Sequence, residues 1–173
     1  TAVVNNGKIY RSTNYGSDWV PANAAGGNDK PWTGVAMSAD GQKQTAFTGS
    51  GDGQIYTSSN AGATWTLTSA PSMPWRGVAV SADGQYQTAV AHTGQIYVSN
   101  NSGVSWTSQG PSATGNGSGN WTGVAMSRNG QFQIAAMSDG KIYVSNNLNN
   151  PGVGWTVAGD DGGLIKTWSA AAI

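Results

Sequence analysis

Gly53-Gln54-Ile55-Tyr56-Thr57-Ser58-Ser59-Asn60-Ala61-Gly62-Ala63-Thr64-Trp65 has three close copies elsewhere in the chain. They run from Gly7-Lys8-Ile9-Tyr10 to Trp19, from Gly94-Gln95-Ile96-Tyr97 to Trp106, and from Gly140-Lys141-Ile142-Tyr143 to Trp155. In each copy a short run containing Ile and Tyr leads into a cluster of Ser, Asn and Gly, the pattern of a strand entering a tight turn. A segment repeated at a period of tens of residues is one supersecondary unit used several times, and each unit buries its apolar face by stacking on its neighbours.

Around the second copy the whole unit is legible. Trp32-Thr33-Gly34-Val35-Ala36-Met37 predicts a first strand, Ser38-Ala39-Asp40-Gly41 a turn, and Gln42 to Phe47 a second strand. Gly53 to Thr57 then predicts a third strand and Thr64 to Leu67 a fourth. The next units begin at Trp75 and Trp121, intervals of 43 and 46 residues. Four short antiparallel strands per interval of about 40–50 residues is the composition of a propeller blade.

The two ends of the sequence complete the count. Thr1-Ala2-Val3-Val4 runs through Asn5-Asn6-Gly7 into Lys8-Ile9-Tyr10-Arg11, a hairpin signal because Asn and Gly both accept positive φ. Trp168-Ser169-Ala170-Ala171-Ala172-Ile173 repeats the first-strand pattern, and Thr1-Ala2 reads as the continuation seen at Thr45-Ala46. The expectation is an all-β, four-bladed propeller of four-stranded antiparallel blades, closed by pairing of the N- and C-terminal strands, which removes free sheet edges. Its blades are 168–173 plus 1–31, 32–74, 75–120 and 121–167, in one domain spanning 1–173. A piece cut from a larger propeller is the alternative. Small residues in the innermost strands, Gly34, Ala36, Gly77, Ala79, Gly123 and Ala125, suit the crowded axis of a four-membered ring.

Charged residues make up 9% of the 173, and the formal net charge is zero, so long-range attraction to nucleic acid or to an anionic membrane is not expected. No apolar run approaches the roughly 20 residues of a membrane-spanning helix. The chain has no Cys, which removes disulfides and thiolate chemistry. It also has no Glu, and several of its eight acids stand in Asp-Gly turn dipeptides. A surface of Asn, Ser, Thr and Gly with few charges points to an extracellular or surface-associated setting.

Ser58-x-Asn60-x-Gly62-x-Thr64-Trp65 resembles the Asp-box of sialidase-type (BNR) repeat propellers, Ser-x-Asp-x-Gly-x-Thr-Trp. The resemblance covers essentially the whole chain and implies a structural turn motif between the third and fourth strands of each blade. It assigns turn roles to Asn14, Gly16 and Trp19; to Asn60, Gly62 and Trp65; to Asn101, Gly103 and Trp106; and to Asn147, Gly152 and Trp155. Asn stands where the family usually has Asp, keeping the acceptor and losing the charge. In the fourth copy Leu148-Asn149-Asn150-Pro151 lengthens the turn and Gly154 replaces Thr or Ser. The family uses the motif as scaffold in glycosidases, receptors and assembly factors alike, so it implies a fold and no activity.

A sialidase would need an arginine cluster, a Tyr nucleophile activated by Glu, and an acid/base carboxyl. Without Glu, and with Arg11, Arg76 and Arg128 in unrelated parts of the repeat, no catalytic residue is expected. Asp40, Asp83 and Asp139 read as turn formers. His92, the single imidazole, stands in an exposed-turn context with no Cys or Glu to join it, so neither a metal site nor a cofactor is expected. Two Trp series remain. The box residues Trp19, Trp65, Trp106 and Trp155 read as buried. Trp32, Trp75, Trp121 and Trp168 open the innermost strands, where the ordinary fate is core packing; left exposed, their faces would suit sugar rings. The expected partners are glycans or a protein surface, and the expected role is a non-catalytic, multivalent glycan-binding recognition module of lectin or adhesin type, with a purely structural propeller domain or a fragment of a larger surface or virion protein as the alternative and a glycosidase behind both.

Overall fold

The computed structural model of the chain describes residues 1–22, 29–109, 119–138, 140–147, 150, 152 and 154–158. They form four antiparallel sheets and, among the described residues, no helix. The first sheet joins β1 (Ala2–Val3), β3 (Ile9–Arg11) and β4 (Val20–Pro21). The second runs β2 (Asn5–Gly7), β5 (Lys30–Met37), β6 (Gln44–Thr48), β7 (Ile55–Ser58) and β8 (Thr66–Leu67). The third is β9 (Trp75–Val80), β10 (Gln87–Ala91), β11 (Ile96–Ser99) and β12 (Thr107–Gln109), and the fourth β13 (Trp121–Met126), β14 (Gln133–Met137), β15 (Ile142–Ser145) and β16 (Thr156–Val157). Sequence order equals spatial order across the third and fourth sheets, the up-and-down meander of a propeller blade.

Burial within each blade explains why the repeats cannot stand alone. Every residue of β6 and of β10 is buried, whereas β8 and β16 are exposed throughout. The second strand is thus covered on both faces by neighbouring blades, and the fourth is the wet outer edge. Stacking produces three apolar clusters, one per blade junction. Ile9 and Val3 of the first blade meet Trp32, Ala46, Tyr56 and Trp65 of the second. Phe47 and Ile55 meet Trp75, Ala89 and Trp106, and Val90, Ile96 and Val98 meet Trp121, Tyr143 and Trp155. In every case the two Trp residues of a blade lie on the face that packs against the blade before it.

The innermost strands share a further device. Between Trp32 and Gly34, and between Trp121 and Gly123, the pairing register shifts by one residue. β9 shifts likewise against Val90 and Ala91. Each such bulge sharpens the local twist and lets the Trp turn into the blade junction. There it meets a Tyr of the third strand edge to face: Trp32 on Tyr56 at 5.1 Å, Trp75 on Tyr97 at 5.3 Å and Trp121 on Tyr143 at 5.2 Å.

Two expectations need correction. Asn5-Asn6-Gly7 does form the hairpin turn between β1 and β3, with Asn6 at φ 55°, but it also pairs with Lys30 and Pro31 as an extra edge strand of the second sheet. Trp19 is not buried: it is 46% exposed, against 3%, 9% and 4% for Trp65, Trp106 and Trp155. Trp65, Trp106 and Trp155 each join the apolar cluster formed with the blade before them, and Trp19 joins none of the three. Closure of the ring through residues 168–173 lies outside the described residues.

These positions order the box Trp residues by stability effect. Trp65→Ala and Trp106→Ala should each cost roughly 3–5 kcal/mol in urea titration, as large buried aromatics do, and Trp19→Ala about 1 kcal/mol or less. Equal losses at all three would contradict the assignment.

Candidate functional site

Two families of turn share one end of the blades and build its surface. In the box turn Ser58 Oγ donates to Asn60 Oδ1 and accepts from the Gly62 N–H at 3.0 Å, while Asn60 Oδ1 accepts from the Thr64 N–H at 3.0 Å. Trp65 Nε1 closes the loop onto the Gly62 carbonyl at 3.1 Å. The same bonds recur at Ser99, Asn101, Gly103 and Trp106. The Asn amide adds a donation that a carboxylate could not make, from Asn60 Nδ2 to Thr64 Oγ1 and from Asn101 Nδ2 to Ser105 Oγ, both at 2.8 Å. In the first copy that donation goes to the Asp18 carboxylate at 2.7 Å. In the fourth, Trp155 Nε1 still reaches the Gly152 carbonyl.

The turn between the first and second strands is held by its acid. Asp40 Oδ1 accepts from Ser38 Oγ at 2.5 Å and from the Gln42 N–H at 2.9 Å; Asp83 does the same with Ser81 and Gln85. Asn129 takes this place in the fourth blade, accepting from Ser127 Oγ. The Ser38 and Ser81 hydroxyls hold the Asp40 and Asp83 carboxyls below their ordinary value of 3.8, with the backbone N–H of Gln42 and of Gln85 adding to the effect. These are the turn formers expected from the sequence; Asp139 lies outside the described residues.

Adjacent turns are tied together. The Ala39 N–H donates to the Ala82 carbonyl at 2.9 Å, and the Ala82 N–H to the Arg128 carbonyl at 2.8 Å. Beside them lies an open basin of about 760 Å³ lined by Asp40, Asp83, Arg128, Asn129 and Phe132 among others. Further out, enclosed grooves lie where one blade's outer strands meet the next blade's box. The groove between the second and third blades holds about 330 Å³, lined by Lys43, Thr57, Ser59, Thr66, Leu67 and Ser102 among others. Its counterpart between the third and fourth blades holds about 140 Å³, lined by Val98, Ser99, Asn100, Ser105, Thr107 and Gln109 with Asn150. Outer-strand residues at equivalent repeat positions line both grooves; the larger is walled by hydroxyls, Lys43 and the apolar side chains of Leu67 and Val104, and the smaller by hydroxyls and the amides of Asn100, Gln109 and Asn150.

The expected ligand-facing tryptophans are elsewhere. Trp32, Trp75 and Trp121 are 2%, 0% and 0% exposed, locked in the edge-to-face pairs with Tyr56, Tyr97 and Tyr143, so they have no free face for a ligand. Trp168 lies outside the described residues. Arg76 occupies the bulge position at the start of β9, whereas Arg128 lies in the turn beyond the end of β13. Because the two strands lie side by side, an offset of six residues in the repeat, at about 3.3 Å each, sets these arginines at opposite ends of the blades. Arg11 ends β3 in the first blade, and His92 is exposed in the turn after β10, its N–H donating to the Pro74 carbonyl. Among the described residues no three His, Cys, Asp or Glu side chains come together as a metal site. The groove residues went unnoticed in the sequence because Ser and Thr there carry no distinctive spacing. The available signal was the residue two places after the first-turn glycine, where Lys43, Tyr86 and Phe132 differ among otherwise similar blades.

No family model and no curated protein sequence matches the chain. Solved structures do, at low identity. YCF48 from Cyanidioschyzon merolae matches at 19% identity and TM-score 0.56, over 73% of this chain and 36% of that one. A GH74 enzyme of Niastella koreensis matches at 18% and 0.65, over 94% and 28%. The Swd1 β-propeller domain of Myceliophteria thermophila matches at 11% and 0.55, over 73% and 37%, and a YCF48 structure with bound D1 peptide at 12% and 0.54, over 79% and 46%. The chain therefore spans less than half the length of each of these structures, and the likeness establishes the propeller fold alone.

The depressed acids give a pH test. A carboxyl held below its unfolded value contributes stability that is complete above that value and is lost as pH falls through the folded one. The double variant Asp40→Asn, Asp83→Asn, which copies Asn129, should fold. Its urea midpoint should fall less between about pH 5 and about pH 2 than that of the unmodified chain. Parallel curves would contradict the stabilising role of the two carboxylates.

Proposed function

We propose that this chain is a non-catalytic recognition module that binds glycans through several weak sites at its blade junctions. The observation that carries the reading is the recurrence of a groove walled by Ser and Thr hydroxyls between the second and third and again between the third and fourth blades, where side-chain amides join them. Hydroxyls and amides offer both donors and acceptors to sugar hydroxyls, and the exposed Leu67 and Val104 beside the larger groove give apolar surface for a pyranose C–H face. A volume of about 330 Å³ falls at the small end of ligand sites, which suits one or two sugar rings.

A hydrolytic reading has less to stand on. A general acid needs a carboxyl whose pKa is raised toward neutrality, and Asp40 and Asp83 are shifted the other way. The reading extends to location: a chain with 9% charged residues, and a ligand class abundant on cell surfaces, favour an extracellular or surface-associated setting.

A protein partner is the second reading, and the D1 peptide bound to one YCF48 structure favours it at the level of fold. Surfaces bearing one sugar at graded density separate the two. Linked weak sites should raise retention by about 10²–10⁴ on a dense surface over the free monosaccharide, whereas a peptide site would show no dependence on sugar density. On neutral sugars, retention should survive high salt. Retention that is absent from every glycan surface would defeat the proposal and move the choice to a protein partner or a structural domain.

A further inference from the structure

The blade-junction grooves are alike in their hydroxyls and unlike in charge. The residue that follows the first turn by two positions leans across each junction, and it is Lys43 at the second junction and Tyr86 at the third. The turn glycine of the next blade receives it: a Cβ on Gly84 would stand 2.6 Å from Cβ and from Cδ of Lys43, and one on Gly130 would stand 2.9 Å from Cβ of Tyr86. Gly84 and Gly130 also have positive φ, +72° and +75°, so the bare backbone there serves both the turn and the close approach. The Lys43 stem is thereby packed in place, and its ammonium donates to Ser102 Oγ at 3.0 Å instead of pairing with a carboxylate. Asp40 and Asp83 feel its charge, as a minor cause of their lowered pKa, but neither lines the groove.

Around this cation the groove supplies unused hydrogen-bonding capacity. Among the described residues the hydroxyls of Thr57, Ser59 and Thr66 have no protein partner, while Thr64 Oγ1 is taken by Asn60 and Ser102 Oγ by Lys43. One fixed positive charge, three free hydroxyls and the apolar side chains of Leu67 and Val104 meet in one cavity of about 330 Å³.

We propose that the groove between the second and third blades is a subsite for an anionic sugar residue, with Lys43 and Ser102 holding its carboxylate or sulfate and Thr57, Ser59 and Thr66 its ring hydroxyls. This rests on the glycan-binding reading and adds selectivity to it. The third-junction groove holds only about 140 Å³ and, among the described residues, is lined by no charged side chain, so the selectivity for an anionic residue belongs to the second junction. A lysine held in position by packing loses less freedom on binding than a mobile surface lysine, which is why one charge suffices.

The test uses the full chain and surfaces bearing matched neutral, uronate and 6-sulfated forms of glucose, galactose and mannose at equal density. In about 0.1 M salt the anionic form of the preferred hexose should be retained about tenfold more strongly, the size expected for one hydrogen bond to a charged group. The preference should shrink in about 1 M salt, where the Debye length falls to about 3 Å. Lys43→Met should abolish the preference, and Lys43→Arg should keep it, which also controls for folding. Whether uronate or sulfate shows the larger gain identifies the anionic group. A preference that persists in Lys43→Met, or equal retention of neutral and anionic forms, overturns the subsite while leaving the glycan reading standing. Competition by a Glu-rich peptide stronger than by the free uronate overturns the sugar assignment, and no retention on any surface overturns both.

Discussion

A buried carboxamide sits at each blade junction and must be satisfied there. Gln44, Gln87 and Gln133 are 4%, 1% and 2% exposed, and an unpaired amide at that depth would cost about 1–3 kcal/mol. Each is satisfied from two sides. Its Oε1 accepts from the second-strand Thr of the preceding blade, from Thr1 at 2.6 Å, Thr45 at 2.7 Å and Thr88 at 2.6 Å. Its Nε2 donates to the turn carbonyl of its own blade, Gly41, Gly84 or Gly130. A blade that slid by one residue against its neighbour would break the first bond and carry the Trp–Tyr pair out of its cluster. Apolar stacking supplies the drive for association, and the amide bridge supplies the register.

The same bridge accounts for the box glycines. A Cβ on Gly62 would stand 2.8 Å from Oε1 of Gln44, and one on Gly103 would stand 2.8 Å from Oε1 of Gln87. Box turn, first turn and amide therefore form a single unit, reinforced by the N–H of Ala61 on the Gln42 carbonyl and of Ser102 on the Gln85 carbonyl. Because this unit recurs at the first and second junctions with the same bonds, the residues around its rim can vary without disturbing the stack. Lys43 and Tyr86 are such residues. Scaffold and grooves thus have one origin, and the variation falls where it alters recognition and spares stability.

Much of this was legible in the sequence, for a physical reason. Strand–turn punctuation by Asn-Gly, Asp-Gly and the Ser-x-Asn-x-Gly box is local chemistry, and local chemistry repeats visibly; the four blades follow from it. Burial is decided between blades, and there the sequence was less informative. Trp32 looks able to stack on a sugar or to fill a core, and only the bulge after it and its Tyr56 partner decide for the core. Trp19 holds the same box position as Trp65 but, unlike it, joins none of the three apolar clusters. Gln44 and Gln87 were visible as a recurring pair with Gln42 and Gln85, but their division into a buried bridge and an exposed turn residue depends on the strand's two faces. The groove could not be read at all, because Thr57 and Ser102 are 45 residues apart and meet only across a junction.

The most direct measurement of this account is a double-mutant cycle across the second junction, combining Thr45→Val with Gln87→Met. Both replacements keep approximate shape and remove the hydrogen-bonding groups. If the amide bridge sets the register, each single variant should lose about 1–3 kcal/mol, because each leaves a buried polar group without its partner. The double variant should lose at least about 1 kcal/mol less than the sum, the interaction energy of residues in direct contact. Strictly additive losses would show that the two side chains do not act together, and the junction would then be held by apolar stacking alone.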